Sequence, residues 1–456
     1  MTAKLKKDWL LRGWVDAPMT VAHRIKGNVI RLNEKWFYTI ESCDGQTDFN
    51  SLAFLPEHRA ILDEFIREGI VETCQEGDSI EPFQQYRKTD NPCLIAIDWC
   101  VTGKCNLNCR HCYMESPSGR YGELPFTDMA RLIDQFERAN VLQVSLTGGE
   151  PFLRRDILDI VARLAEKNIW LSQIYSNGLL ITRDHLEGIK RIGFLPSIQI
   201  SFDGVGAHDQ MRGTKGSEQG AIEGIKLARA AGFPVVVATC IDRLNVSRLG
   251  DTYELMKRLG VLSWRIAAPQ KTGNWRGTTT ALSLNDTADA CAQLLDRWIK
   301  NGKPLSIQLA GLYSGVPGSV SSAEEKQMPN YTPDTFVCGA CREQPNLLPD
   351  GTLVPCPGYV DTVVQGRMPN LLCTDLAEAW TNSSLRDIVD MKKKDLLAKN
   401  PECAVCGLFK ECGIGCRTSA LAETGDLMAK DPTACDLWKG GYKKRFEELA
   451  MAATNK

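Results

Sequence analysis

From residue 94 onward, short apolar runs alternate with amphipathic stretches, and this cadence narrows the possible folds more than any other feature of the chain. Runs at 94–99, 141–146, 169–175, 197–202, 234–241, 262–267 and 305–309 read as strands, several of them rich in Val and Ile. Between them, 127–139, 157–167, 185–192, 221–231 and 249–259 place apolar residues at helical spacing. Strand, helix, strand at this rhythm argues a parallel sheet built of βαβ units. About six units over 94–310 fall short of the eight that close a barrel, so the expected architecture is α/β, a partial (β/α)6 barrel of the TIM type. Such folds meet their ligands at the C-terminal ends of the strands, which directs attention to the loops that follow them.

The loop after the first strand holds Cys105-Asn-Leu-Asn-Cys109-Arg-His-Cys112, a C-x3-C-x2-C pattern. Three thiolates on so short a loop can ligate three irons of one cubane and leave the fourth without a protein ligand. A bare iron can be chelated by an amine and a carboxylate, and S-adenosylmethionine (SAM) carries both beside a sulfonium. One electron into that sulfonium would release a 5′-deoxyadenosyl radical, so the hard chemistry would belong to the cofactors. The competing reading is zinc, which in structural sites takes four ligands; His111 lies too close to Cys112 in the chain to be an easy fourth.

With this loop the sequence resembles the radical SAM superfamily, and further segments extend the likeness. Thr147-Gly-Gly-Glu-Pro151 follows the second strand; alone it is a tight turn whose glycines permit close backbone approach and whose Glu150 adds a carboxylate. It resembles the GGEP motif of that superfamily, which implies that Gly148, Gly149 and Glu150 bind the methionine amine of SAM. Tyr175-Ser-Asn-Gly178 and Ser201-Phe-Asp-Gly204 end the third and fourth strands and read alone as polar turns. The resemblance implies that Ser176 and Asn177 lie near the ribose and methionine, and Ser201 and Arg212 near the ribose or the carboxylate. The stretch 208–217 looks like the segment that follows this strand in the peptide-modifying branch. Two polar, glycine-bearing stretches, 270–280 and 311–330, read as loops that could shape a substrate mouth.

Residues 1–85 read as a small winged-helix-like α+β domain. A short strand at 28–32 precedes a helix that Asn33 can cap, running through Phe37 to Cys43. A second helix starts near Pro56, with Ile61, Leu62, Phe65 and Ile66 as its apolar stripe. DNA binding fits poorly, because residues 1–90 hold 12 Lys/Arg against 15 Asp/Glu. Arg31-Leu-Asn33, Cys43-Asp-Gly45 and 65–70 resemble the PqqD-type precursor-recognition domain, which implies that an extended leader peptide adds a strand to the sheet edge. Polar residues around Pro82 lead into a linker over 86–93, and 311–337 reads as a bridging region.

Cysteines become dense again over 338–456. Cys338-Gly-Ala-Cys341 is followed by Cys356 after a Pro-Asp-Gly turn, then by Cys403-x2-Cys406-x5-Cys412-x3-Cys416 and by Cys435. Composition alone leaves zinc and iron-sulfur open for these eight thiols. The order resembles the SPASM extension, which implies two auxiliary 4Fe-4S clusters: Cys338, Cys341, Cys356 and Cys416 on the first, Cys403, Cys406, Cys412 and Cys435 on the second. Of the other seven cysteines, Cys100, Cys240 and Cys291 lie in apolar runs and read as buried small hydrophobes. Five scattered histidines offer no His-rich metal site, and no Ser-His-Asp order or phosphate-binding glycine loop competes.

A chain of 456 residues with 43% hydrophobic content is long enough for two or three cores. Net charge of −2 gives no electrostatic reason to expect nucleic acid or an anionic membrane as partner. The basic start lacks an apolar signal region and no run reaches membrane-spanning length, so a cytoplasmic protein is expected. The resemblances together imply an enzyme that carries SAM and three 4Fe-4S clusters, takes electrons from a flavodoxin or ferredoxin, and modifies a ribosomally made precursor peptide held by its leader. Hydrogen abstraction would lead to an intramolecular carbon-carbon or thioether cross-link. The alternative is oxidation of a protein side chain as in sulfatase maturation, or epimerisation or decarboxylation of a peptide or small metabolite. No residue presents itself in the sequence as a general base.

Overall fold

The computed structural model describes residues 1–51, 54–75, 77–116, 118–317 and 330–452. Strands β1 (Thr2–Leu5), β2 (Trp9–Trp14), β3 (Ala17–His23) and β4 (Asn28–Arg31) come first. Helices α1 (Glu34–Glu41) and α2 (Pro56–Arg67) and strands β5 (Val71–Cys74) and β6 (Arg87–Lys88) follow. The Asn33 side chain accepts the Trp36 N–H at 3.0 Å and starts α1, while Pro56 stands at the first turn of α2, where its missing N–H is harmless. Phe37, Ile40, Ile61, Leu62 and Phe65 of the two helices bury themselves against Leu5, Leu11 and Val21.

β1 pairs with β5, and the second small sheet runs β4-β3-β2-β6. The strands before residue 24 escape a sequence reading because Trp9-Leu-Leu-Arg-Gly-Trp14 lacks clean alternation; β2 is buried on both faces at Leu10 and Leu11. The stretch 86–93, expected to be a linker, is tied down instead. Arg87–Lys88 pairs in parallel with β2, and the Thr89 N–H donates to the Gly13 carbonyl at 3.0 Å.

Among the described residues the large sheet has ten strands. β7 (Ala96–Thr102), β8 (Gln143–Gly148), β9 (Trp170–Ser176), β10 (Ser197–Ser201), β11 (Val235–Cys240), β12 (Ser263–Ala267) and β13 (Ser306–Leu309) lie side by side, in parallel and in chain order. Helices α3 (Phe126–Arg138), α4 (Ile157–Glu166), α5 (Arg183–Ile192), α6 (His208–Arg212), α7 (Ser217–Ala230), α8 (Leu249–Leu259) and α9 (Leu284–Lys300) connect them. β13 continues to the antiparallel β14 (Tyr313–Gly315), and β7 to β15 (Asn346–Leu347) and β16 (Leu353–Val354). The sheet is therefore an open, partial barrel.

Alternation along these strands divides the chemistry. Ile97, Trp99, Val144, Leu146, Ile198, Ile200, Val237 and Trp264 point under the helices and are fully buried, each aliphatic one contributing about 1.5–3 kcal/mol. The opposite row carries Asp98, Ser145, Gln199, Ser201, Arg265 and Gln308 and makes a polar concave face.

Two further features sit at the edges of this sheet. The C-terminal cysteine-rich part is hooked onto the barrel edge, where Asn346 pairs with Asp98 and Leu347 with Trp99. Part of the 311–330 stretch, read as loop, is strand β14; 318–329 lies outside the described residues. No helix among the described residues is long and apolar enough to cross a membrane.

Candidate functional site

The loop bearing Cys105, Cys109 and Cys112 leaves the C-terminal end of β7 and is held from three sides. The turn after β8 is the first support: the Gly149 N–H donates to Thr102 and the Glu150 N–H to Lys104, at 2.8 and 2.9 Å. A Cβ on Gly149 would stand 2.0 Å from the Lys104 carbonyl oxygen. The glycines thus permit close approach to the cysteine loop itself. The end of α6 is the second support, its Met211 and Arg212 carbonyls accepting the N–H groups of Arg110 and Asn108. The 3-10 turn Gly273–Trp275 is the third. Asn274 donates its backbone N–H to the Cys112 carbonyl at 3.0 Å and its side-chain amide to the Cys109 carbonyl at 2.9 Å. Gly273 approaches so closely that a Cβ would lie 2.3 Å from the Cys112 oxygen.

Each sulfur faces a nitrogen donor. Asn177 Nδ2 lies 3.9 Å from Cys105 Sγ, Arg212 Nη1 3.5 Å from Cys109 Sγ, and the Ser116 N–H 3.3 Å from Cys112 Sγ. Burial pushes the Cys105 thiol up to about 12, so a thiolate persists there at neutral pH only beside a positive partner such as iron. The ring of nitrogen donors suits three thiolates on a cubane. Above the sulfurs opens a cavity of about 280 Å³, lined by Gly148, Gly149, Ser176, Asn177, Ser201 and Arg212 together with Tyr113, Tyr175 and Gln199.

Glu150 is not on that wall. Its fully buried carboxylate accepts from Ser176 Oγ at 2.9 Å, the Asn177 N–H at 2.7 Å and the Phe152 N–H at 3.1 Å. Burial raises its pKa to about 7, against the pull of those donors. Glu150 therefore fixes the two residues at the end of β9 that face the cavity. On the other side Asp203, fully buried, pairs with Arg212 Nε at 2.7 Å and accepts the Cys240 N–H at 2.9 Å. Burial would push its carboxyl up, but Arg212 and the neighbouring imidazoles hold it below the usual value. His111 Nε2 stands 3.6 Å from Asp203, and burial lowers its pKa to about 4, so the imidazole is neutral. His111, Asp203 and Cys240 approach within 4.8 Å of one another, yet the Arg212 guanidinium already occupies the Asp203 carboxylate and takes the place a cation would have.

The eight C-terminal cysteines fall into two groups in space. Cys338, Cys341, Cys356 and Cys416 line one cavity of about 640 Å³, with Cys412 also at its border. Cys341 is in contact with both Cys338 and Cys356. Cys403, Cys406, Cys412 and Cys435 line a smaller cavity of about 40 Å³, with Phe409 and Trp438.

Thus the structure gathers Cys105, Cys109, Cys112, Gly148, Gly149, Ser176, Asn177, Ser201 and Arg212 around one cavity and sets Glu150 behind it. Sequence reading missed Ser116, Asp203, Gly273 and Asn274. Gly273 and Asn274 lie inside the 270–280 stretch recognised as a loop, and Asp203 inside the Ser201–Gly204 turn, but the contact of Asn274 with Cys109 spans 165 residues.

Residues 99–256 match the radical SAM superfamily. The chain is 28% identical over 357 residues to an AdoMet-dependent heme synthase of Nitratidesulfovibrio vulgaris, covering 75% of this chain and 92% of that protein. It is 29% identical over 358 residues to the mycofactocin maturase MftC of Mycobacterium tuberculosis, covering 77% and 85%. Among solved structures, Streptococcus suis SuiB bound to its precursor peptide SuiA shares the fold, with a TM-score of 0.66 and 14% identity over 96% of this chain and all of that one. Residues 99–256, from strand β7 through the cysteine loop and the glycine turn to α8, are therefore a radical SAM domain.

Proposed function

We propose that this chain is an enzyme that modifies a ribosomally made precursor peptide, with the Cys105, Cys109 and Cys112 thiolates holding one 4Fe-4S cluster and SAM bound in the adjoining cavity. Bound there, the cofactors would supply one-electron chemistry for hydrogen abstraction. The protein's part is to bind and orient. Backbone carbonyls of the glycine turn offer acceptors to the SAM amine, Ser176, Asn177 and Ser201 offer partners to its ribose and methionine, and Glu150 keeps the β9 end in place. Asn274 and Arg212 hold the cysteine loop to the barrel. The polar face carrying Asp98, Ser145 and Gln199 receives the reacting segment of the substrate.

The observation that carries the peptide reading is strand β4. It is the outer strand of its sheet among the described residues, with Ile30 exposed, in a unit fused to the radical site. An open strand edge pairs readily with an extended peptide, and the mycofactocin maturase is a relative over most of the chain. Residues 1–85 are thus read as the leader-recognition domain, 94–310 as the barrel and 338–456 as a SPASM domain. Its two cysteine groups would hold two auxiliary clusters and take up the electron left after hydrogen loss and cross-link formation, with a flavodoxin or ferredoxin as external donor.

A second reading has a haem precursor as substrate, favoured by the identity with the heme synthase. Co-expression with a short peptide encoded beside the gene, followed by mass spectrometry, separates the two. A peptide lighter by two hydrogens with a new intramolecular bond is expected. An unchanged peptide, with conversion of a porphyrin by the same preparation, would overturn the peptide reading.

A further inference from the structure

The donors around the three sulfurs are not equivalent. Cys105 faces a side-chain amide and Cys112 a backbone N–H, both neutral; Cys109 faces the guanidinium of Arg212. The Arg212 side chain is only 10% exposed. Its Nε is paired with Asp203, and the residue's own carbonyl accepts the Asn108 N–H at 3.2 Å inside the cysteine loop. Asp203 in turn is fixed by the N–H of Cys240, and its backbone N–H donates to His208 Nδ1 at 2.9 Å. His111 closes the other side, its Nε2 3.6 Å from Asp203. The result is a rigid ion pair whose positive end is turned to one thiolate.

Resting on the reading that these cysteines hold the 4Fe-4S cluster, we propose that Arg212 is a positioning residue that sets the cluster's reduction potential through Cys109, rather than a ligand for the SAM carboxylate. Reduction adds one negative charge to the cluster. A fixed cation in a dry site stabilises that charge more than neutral donors do, because the interaction is poorly screened there. Hydrogen bonds and charge beside the sulfurs are among the recognised determinants of such potentials. Asp203 moderates the effect by holding the counter-charge behind the guanidinium.

The test uses the anaerobically reconstituted full chain, titrated with dithionite and followed by electron paramagnetic resonance. The signal that changes when SAM is added identifies the cluster in question; its potential is then read without SAM. Arg212→Gln should shift the midpoint to more negative potential, Arg212→Lys should restore much of it, and Asp203→Asn should shift it to more positive potential. SAM affinity for the oxidised protein should hold within a factor of about three, under ~1 kcal/mol. An unmoved midpoint in Arg212→Gln, with SAM affinity down about tenfold, would overturn the proposal and make Arg212 a SAM ligand. If Arg212→Gln loses its iron, Asp203→Asn decides, since a midpoint that stays in place contradicts the proposal. Absence of any SAM-sensitive signal in the unmodified chain would instead remove the cluster reading itself.

Discussion

The Glu150 carboxylate accepts the backbone N–H of Asn177 at 2.7 Å, joining the ends of two neighbouring barrel strands. Asn177 then passes its side-chain amide to Asn106 Oδ1 at 2.7 Å and toward Cys105 Sγ. One buried carboxylate thus connects the glycine turn to the cysteine loop through a single residue. Loss of it should leave three donors unsatisfied. Glu150→Ala is expected to lower stability by about 3 kcal/mol, read from urea unfolding. pH adds a second handle: the folded pKa of about 7 stands above the 4.5 of an unperturbed glutamate. Between those values the unfolded chain has lost the proton and the folded one keeps it, so stability falls as pH rises from 4.5 to 7 and levels off above. Glu150→Gln should abolish that contribution, on the order of 3 kcal/mol across the window.

Gly149 meets the start of the cysteine loop at Lys104 and Gly273 its end at Cys112, each without room for a methyl group. Gly149→Ala and Gly273→Ala should each displace the loop by forcing a backbone apart, at about 2–3 kcal/mol. Both variants should keep the helical circular dichroism of the barrel yet lose iron from the first cluster and release little 5′-deoxyadenosine. Alanine at Gly277, where a Cβ meets nothing within 4 Å, should leave both measurements unchanged.

Peptide recognition can be probed at the β4 edge without touching the radical site. Ile30 is exposed on the outer strand. Ile30→Asp is expected to weaken leader binding about tenfold in fluorescence anisotropy. SAM cleavage in the absence of peptide should be unaltered.

The C-terminal cysteines should carry iron in two separable groups. Full reconstitution is expected to give about twelve irons per chain, four per cluster. Cys356→Ser should remove about four, Cys435→Ser a different four, and Cys112→Ser the remaining set. Zinc in the purified anaerobic protein, at one ion per cysteine group, would contradict the assignment.

Much of the barrel was legible because its strands are continuous apolar runs between glycine-bearing turns, a pattern set by burial on the helix-covered face. The seventh strand, Ser306–Leu309, and the cysteine loop were readable for the same local reasons. Helix α9 carried a usable signal that went unread: Ser283 caps its start, and Ala288, Cys291, Ala292, Leu295 and Trp298 recur at helical spacing. Other features were not available locally. Arg212 meets Cys109 across 103 residues and Asn346 meets Asp98 across 248, and neither neighbourhood differs in composition from an ordinary turn. Glu150 was recognised by its motif, while its inward orientation depends on Ser176 and Asn177 arriving from the next strand.

A thiolate-held cluster beside a SAM-binding cavity, as proposed, is tested most directly by reductive cleavage of SAM. The reconstituted chain, incubated anaerobically with SAM and dithionite, should release 5′-deoxyadenosine and methionine in equal amounts, and the Cys105→Ser, Cys109→Ser and Cys112→Ser variants should release neither. Turnover that survives those three substitutions, or a fully reconstituted protein that releases no 5′-deoxyadenosine, would contradict it.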